Sequence, residues 1–399
     1  MTRISTALFV LLLASDAAAQ TRPTGYVSTF VDFFANRKDT TELRARAFAE
    51  QKLAPADAVR FTLSGFVEGL VARRVTPPGR ERTIARDAIA SLHDASVELA
   101  LGRLDLLAGF TRVTWGRLDE LQPTDVVNPL DVSRFFFEGR SEARLPVALV
   151  RGRVFITDDV VFEGLYVPAF RRGRFDRLDE PTSPFNLAAE VTGLPLEDRE
   201  PPIAFANAQG GARFSATTGR VDWSVSAYRG IEPFGLYSAT PAGLAREYPR
   251  FTMIGADFET VRGEWGLRGE VAAFVRDSVQ EQTTFVRGKS FDAGIGVDRK
   301  AGDYRISGTA LVHHQPSRTD LSLILATDRS FAREKYNLRM FGVYGATESS
   351  GFLRGILTAK LRDDVALEGS TGWFVGDGRD LVGRFDNSDF VYARLKVYF

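Results

Sequence analysis

Phe390–Phe399 reads FVYARLKVYF. Val391, Ala393, Leu395, Val397 and Phe399 are apolar, while Tyr392, Arg394, Lys396 and Tyr398 between them carry charge or a polar tip. Successive side chains of a β-strand point to opposite faces, so this alternation specifies a strand with one apolar and one wet side. The strand is also the last of the chain, and it ends on an aromatic residue.

The same period of two recurs upstream. Trp265, Leu267, Val271, Ala273 and Val275 alternate with Glu264, Gly266, Arg268 and Glu270. Leu43, Ala45, Ala47 and Ala49 alternate with Arg44, Arg46, Glu50 and Lys52. Val59, Phe61, Leu63, Val67 and Val71 form one face of a third segment, and Ala95, Val97, Leu99 and Leu101 one face of a fourth, opposite Asp94, Ser96 and Glu98. In a fifth, Ala148, Val150, Val154 and Ile156 oppose Arg151 and Arg153. These segments run to about 9–13 residues, the length that crosses a bilayer at a tilt, against about 5–6 for strands of soluble proteins. Charges on one face and an apolar surface on the other are what a closed cylinder with lipid outside and water inside requires.

The reading is therefore all-β: a single transmembrane antiparallel up-and-down β-barrel of about 18 strands, with 16 to 18 as the range. The segments fall near 26–35, 43–53, 59–72, 94–102, 105–114, 146–157, 160–169, 209–217, 221–230, 250–260, 264–276, 288–299, 303–314, 319–330, 335–345, 350–361, 365–376 and 389–399. With the last strand running inward, every connection on the periplasmic side is short. The long ones, 73–93, 115–145, 170–208, 231–249 and 277–287 among them, fall outside, as barrels arrange them. Trp223, Phe258, Trp265, Tyr304, Tyr336 and Phe399 group at the expected periplasmic ends, and Tyr166, Tyr344 and Trp373 toward the outer ends. Such rings favour the boundary between lipid and water.

The N-terminus adds an address. Arg3, the apolar run Ala7–Ala14 and the small residues Ala17–Ala19 read as a secretory signal peptide over residues 1–19, leaving 20–399 as the barrel. The chain has no Cys, which excludes disulfides and thiolate chemistry in the exported protein. Its three His residues include the neighbours His313 and His314, which point to opposite faces of a strand, so no metal site is expected. Formal net charge is zero, with 51 basic and 51 acidic residues, which argues against nucleic acid as a partner. No cofactor-binding motif occurs. Ser349 and Ser350 share an outer turn near the two histidines, but no nucleophile elbow accompanies them, so no catalytic site is expected.

Candidate pore-lining cations on the wet faces are Arg44, Arg46, Arg60, Arg151, Arg153, Arg213, Arg268, Arg305, Arg339, Arg354 and Arg394. Acidic residues facing the same way include Glu68, Glu163, Asp257, Glu264, Glu270, Asp298 and Glu368, so many of the charges should brace the wall as cross-strand pairs. The connection after the fifth segment, WGRLDELQPTDVVNPLD from Trp115 to Asp131, is rich in turn formers. A long ordered loop of that kind would fold inward as a constriction, with Trp115, Asp119, Asp125, Asn128 and Asp131 lining or anchoring it.

The stretch Leu92–Asp131, with Val221–Gly230, Arg333–Tyr344 and Gly383–Phe399, resembles porin-like outer-membrane proteins related to the alginate-export family and neighbouring barrels. The likeness spans most of the chain. It implies a large Arg-rich barrel, 18-stranded in the alginate exporter, which passes an anionic polysaccharide outward. The closing strand also resembles that of outer-membrane barrels, whose final aromatic residue, here Phe399, is part of the assembly signal. The expected partners are outer-membrane lipid and lipopolysaccharide, and the barrel-assembly machinery through that strand. The expected function is a pore for small or anionic solutes. A non-conducting barrel that serves as an envelope scaffold is the alternative.

Overall fold

Alternating side chains become a closed wall in the computed structural model, which describes residues 22–35, 40–76, 81–174, 185, 196–281, 284–380 and 382–399. The expected leader, residues 1–19, lies outside the described residues. In chain order the strands are β1 (Thr24–Phe34), β2 (Thr41–Ala56), β3 (Val59–Thr76), β4 (Glu81–Leu101), β5 (Leu104–Thr111), β6 (Val147–Phe155), β7 (Val160–Val167), β8 (Leu196–Arg199), β9 (Gln209–Thr218), β10 (Val221–Ile231), β11 (Leu236–Thr240) and β12 (Gly243–Glu247). They continue as β13 (Arg250–Arg262), β14 (Trp265–Glu281), β15 (Thr284–Ala301), β16 (Tyr304–Gln315), β17 (Arg318–Phe331), β18 (Tyr336–Gly345), β19 (Ser350–Arg362), β20 (Val365–Val375) and β21 (Phe390–Tyr398). Two helices, α1 (Val132–Glu138) and α2 (Arg140–Ala143), follow β5.

Eighteen of the strands form one sheet, each pairing antiparallel with its neighbours in sequence. The sheet closes where β1 meets β21, with Tyr26 opposite Tyr398 and Phe34 opposite Phe390. At that seam the Gly25 amide donates to the Phe399 carbonyl over 3.0 Å and the Phe399 amide donates back over 3.1 Å. Closure removes the unpaired edge that an open sheet would expose.

The two faces separate as the alternation requires. On β3, Val67 is 47% exposed while the adjacent Glu68 is 3% exposed. Val27, Leu43, Val150, Leu323, Leu353 and Leu395 stand on the outer face with it. Trp265, Tyr304 and Phe399 are exposed near one rim, and Tyr166, Tyr344 and Trp373 toward the other. The connections expected to be periplasmic are two or four residues long throughout.

Four expectations change. The connection 73–93 is mostly strand, because β3 and β4 extend to Thr76 and from Glu81. Beyond the bilayer a strand no longer needs an apolar outer face, so the pattern that marks it lapses. In the same way β14 and β15 extend through most of 277–287. The connections 170–208 and 231–249 contribute β8, β11 and β12 to a separate three-stranded sheet. Finally, Glu264 does not face the interior. It pairs at 2.7 Å with Arg299, whose guanidinium lies 5.1 Å from the centre of the outward-facing Trp265 ring.

The interior is also less wet than expected. Two apolar clusters fill part of it. One packs Phe136 and Phe137 of α1 against Phe30, Phe352, Phe374, Phe385 and Phe390. The other packs Val113, Trp115 and Val127 against Leu149, Leu165, Tyr228, Phe251 and Phe274. Both are built on the segment between β5 and β6, which has left the wall and entered the bore.

Candidate functional site: a loop folded across the bore

Residues 112–146 leave the wall at Thr111 and return at Val147, and these two residues are paired across the β5–β6 ladder. Asn128 ties the two feet together. Its side-chain oxygen accepts from the Val113 amide at 2.8 Å, and its amide group donates to the Leu145 carbonyl at 2.8 Å. Asp131 caps α1 by accepting from the Arg134 amide at 3.2 Å, and its other oxygen takes Arg174 at 2.7 Å. A carboxylate at a helix N-terminus satisfies an amide that has no partner within the helix. Asp125 is 1% exposed at its side chain and receives Arg144 at 2.7 Å and Arg140 at 3.2 Å. The loop thus arrives with its own internal frame.

On one side the wall is acidic. Glu270 of β14 is 2% exposed. One of its oxygens accepts from the consecutive amides of Arg117 and Leu118, the latter at 2.6 Å. The other accepts from the Thr124 hydroxyl at 3.0 Å and the Thr124 amide at 3.3 Å. Successive amides that converge on one anion form a concave nest. Gly116 makes the approach possible: φ is +89°, and a Cβ there would sit 2.6 Å and 2.7 Å from the two Glu270 oxygens. Arg117 reaches Asp257 at 2.7 Å and Glu259 at 3.3 Å, while Asp119 takes Arg268 at 2.9 Å. The Trp115 indole donates to Glu163 of β7 at 2.7 Å.

On the other side the wall is basic. Glu138, the last residue of α1, lies 3.2 Å from Arg46 and 3.6 Å from Arg394. Arg354 donates to the Phe137 carbonyl at 2.6 Å and to Ser370 at 3.1 Å. Cations at a helix C-terminus meet its outward-pointing carbonyls favourably. Glu120 takes Arg339 at 2.5 Å. Burial pushes the Glu120 carboxyl above its ordinary range, against the pull of Arg339.

All eleven arginines singled out from sequence face the interior, in four settings. Arg44 and Arg46 are buried in pairs with Glu42 and Glu68. Arg213 and Arg268 join the acidic wall through Asp257 and Glu259. Arg60, Arg151 and Arg153 line a recess of about 370 Å³ beside Glu98 and Asp105. Arg305, Arg339, Arg354 and Arg394 line a cavity of about 460 Å³ between the loop and the wall of β16–β21. Across the loop, against β17–β19, lies a second cavity of about 300 Å³. Phe135 and Arg140 border both. Phe135 faces Phe341 of the wall with ring centres 6.3 Å apart.

The five loop residues expected to line or anchor a constriction are all engaged, chiefly as anchors. Sequence reasoning missed Glu138, Arg140, Arg144 and the role of Glu270. The only available signal was the density of charge in 132–144 within an otherwise aromatic stretch.

No protein-family model matches the chain, and no curated protein matches it. Solved structures do. OccK7 (OpdD) of Pseudomonas aeruginosa has 10% identity and a TM-score of 0.53, over 94% of this chain and 97% of that one. A BenF-like porin from Pseudomonas fluorescens has 11% identity and a TM-score of 0.53, over 94% and 97%. OccAB3 of Acinetobacter baumannii has 9% identity and a TM-score of 0.52, over 94% and 98%. At these identities the likeness is one of fold.

Proposed function

We propose that this chain is an outer-membrane channel in which small solutes pass between the inward loop and the β16–β21 wall. The observation that carries the reading is the pair of cavities on either side of the loop, which share Phe135 and Arg140 as a border. An outer belt of exposed apolar side chains suits lipid, and the interior charges suit water. The Arg305 side chain is 54% exposed with its nearest carboxylate, Asp298, at 3.5 Å, so a mild preference for anions is expected.

The polysaccharide route that the sequence resemblance implies fits less well. A polymer would have to pass where Phe135 packs edge-on against Phe341, so small solutes are the favoured cargo. The terminal Phe399, exposed beside the closing seam, fits the role of a recognition signal for barrel assembly.

Planar-bilayer recording of the refolded protein tests the channel. Discrete conductance steps are expected, with a reversal potential displaced toward the anion, and removal of residues 117–138 should raise the step size several-fold. No conductance in either protein would overturn the channel in favour of a scaffold barrel. Equal steps in both would refute the constriction.

A further inference from the structure

The outward face of β17 carries Leu321, Leu323, Leu325, Thr327, Arg329 and Phe331 in succession. Leu325 is 67% exposed, as a lipid-facing residue should be. Arg329 lies four residues further toward the periplasmic rim, on that same face. Its guanidinium sits 4.6 Å from the centre of the Tyr304 ring. Two residues on, Phe331 stacks on Tyr336 at 5.3 Å, and the Lys335 ammonium lies 5.6 Å from the Tyr336 centre. The turn between them places Ala332, Arg333 and Glu334 consecutively at φ of 54°, 56° and 62°.

The neighbouring strands repeat the construction with one difference. Arg299 lies over Trp265 in the same way, but Glu264 neutralises it at 2.7 Å. Among the described residues no carboxylate stands within ion-pair distance of Arg329, Arg333 or Lys335. Three cations and one acid, Glu334, thus share a short rim segment. An uncompensated guanidinium on a lipid-facing wall is costly within the hydrocarbon and is relieved at the headgroup level. The flat ring beneath holds it there and leaves its donors pointing at whatever anion lies in the interface.

We propose that Arg329 and Lys335, backed by Tyr304 and Tyr336, form a site for the phosphate of an anionic phospholipid in the periplasmic leaflet. The inference rests on the membrane placement given under Proposed function. A basic residue near a charged surface contributes about fivefold in affinity for it. The full chain, refolded and reconstituted into nanodiscs of phosphatidylcholine doped with phosphatidylglycerol, is released for native mass spectrometry, and the retained lipid is counted. The wild-type protein should retain phosphatidylglycerol in preference to phosphatidylcholine. Arg329→Gln should cut that preference by about fivefold, and the double variant with Lys335→Gln by about 25-fold. Tyr304→Leu, which keeps the charge, should give a smaller loss. Arg220→Gln, in another periplasmic turn, should give a smaller loss than Arg329→Gln.

Equal retention of the two lipids by wild type, or an equal loss in Arg220→Gln, overturns the proposal. So does loss of the preference in none of the rim variants. Failure of the wild-type protein to enter the nanodisc at all would instead strike the membrane placement, and heat-modified mobility on gels distinguishes a misfolded variant from a lipid-free one.

Discussion

On the β13–β14 wall carboxylates reach the loop's backbone, whereas from β19 round to β2 guanidiniums take hold of its side chains and carbonyls. Glu270 grips the amides of Arg117, Leu118 and Thr124. Arg46 and Arg394 grip Glu138, and Arg354 grips the Phe137 carbonyl. The segment therefore crosses the bore with its amide-rich turn toward the acids and its helix C-terminus toward the bases. The acidic hold centres on backbone amides and one glycine, with Arg117 and Asp119 adding side-chain pairs to it. The basic hold depends on the carboxylates of Glu138 and Glu120 and on the Phe137 carbonyl. The two halves should thus fail differently.

Glu270→Ala should show the largest effect. It leaves three buried amides without their acceptor, and the cost is about 3 kcal/mol or more. Denaturant unfolding in lipid vesicles would report the loss, and single-channel steps should grow several-fold as the turn swings free. Steps of wild-type size would mean that the basic wall alone fixes the loop.

Glu138→Gln should be milder, at about 1–2 kcal/mol, since Arg46 keeps Glu68 at 2.5 Å and Arg394 keeps Glu368 at 2.7 Å. Its clearer signature is selectivity. With one acid gone from among Arg46, Arg134 and Arg394, the reversal potential should move further toward the anion. A shift toward cations would contradict the assignment of Glu138 to the passage.

The smallest effect concerns pH. Burial disfavours the ionised form of Glu120, so its carboxyl takes up a proton at a higher pH than an ordinary one. Once protonated it no longer neutralises Arg339. On acidification from neutral pH, anion preference should rise before the ordinary carboxyl range is reached. Glu120→Gln should show the acid-side preference at neutral pH and remove this early step, whereas an unaltered profile would place Glu120 outside the conduction path.

The wall was legible in sequence because lipid imposes its demand on every second residue, independent of partner. The 18 segments all appear as strands, and the Val391–Phe399 alternation survives as exposed Val391, Leu395 and Val397 opposite buried Tyr392. Where that demand stops, legibility stops. The outer part of β3–β4, from Arg73 to His93, and the five-residue β11 and β12 carry no lipid pattern and read as loop. The inward segment was marked by its turn formers, and Asn128 and Asp131 act locally enough to be read from spacing. The hold by Glu270 was not, because it joins residues about 150 positions apart, a contact that no local pattern encodes.

Asn128 and the Thr111–Val147 pair have one more consequence. Because the two feet of the inward segment already touch, everything between them is topologically an ornament on a hairpin. A sequence of another length or chemistry could be spliced between these feet without moving a rung of the ladder beside them. The cylinder and its insert are in this sense separate inventions, free to change at different rates.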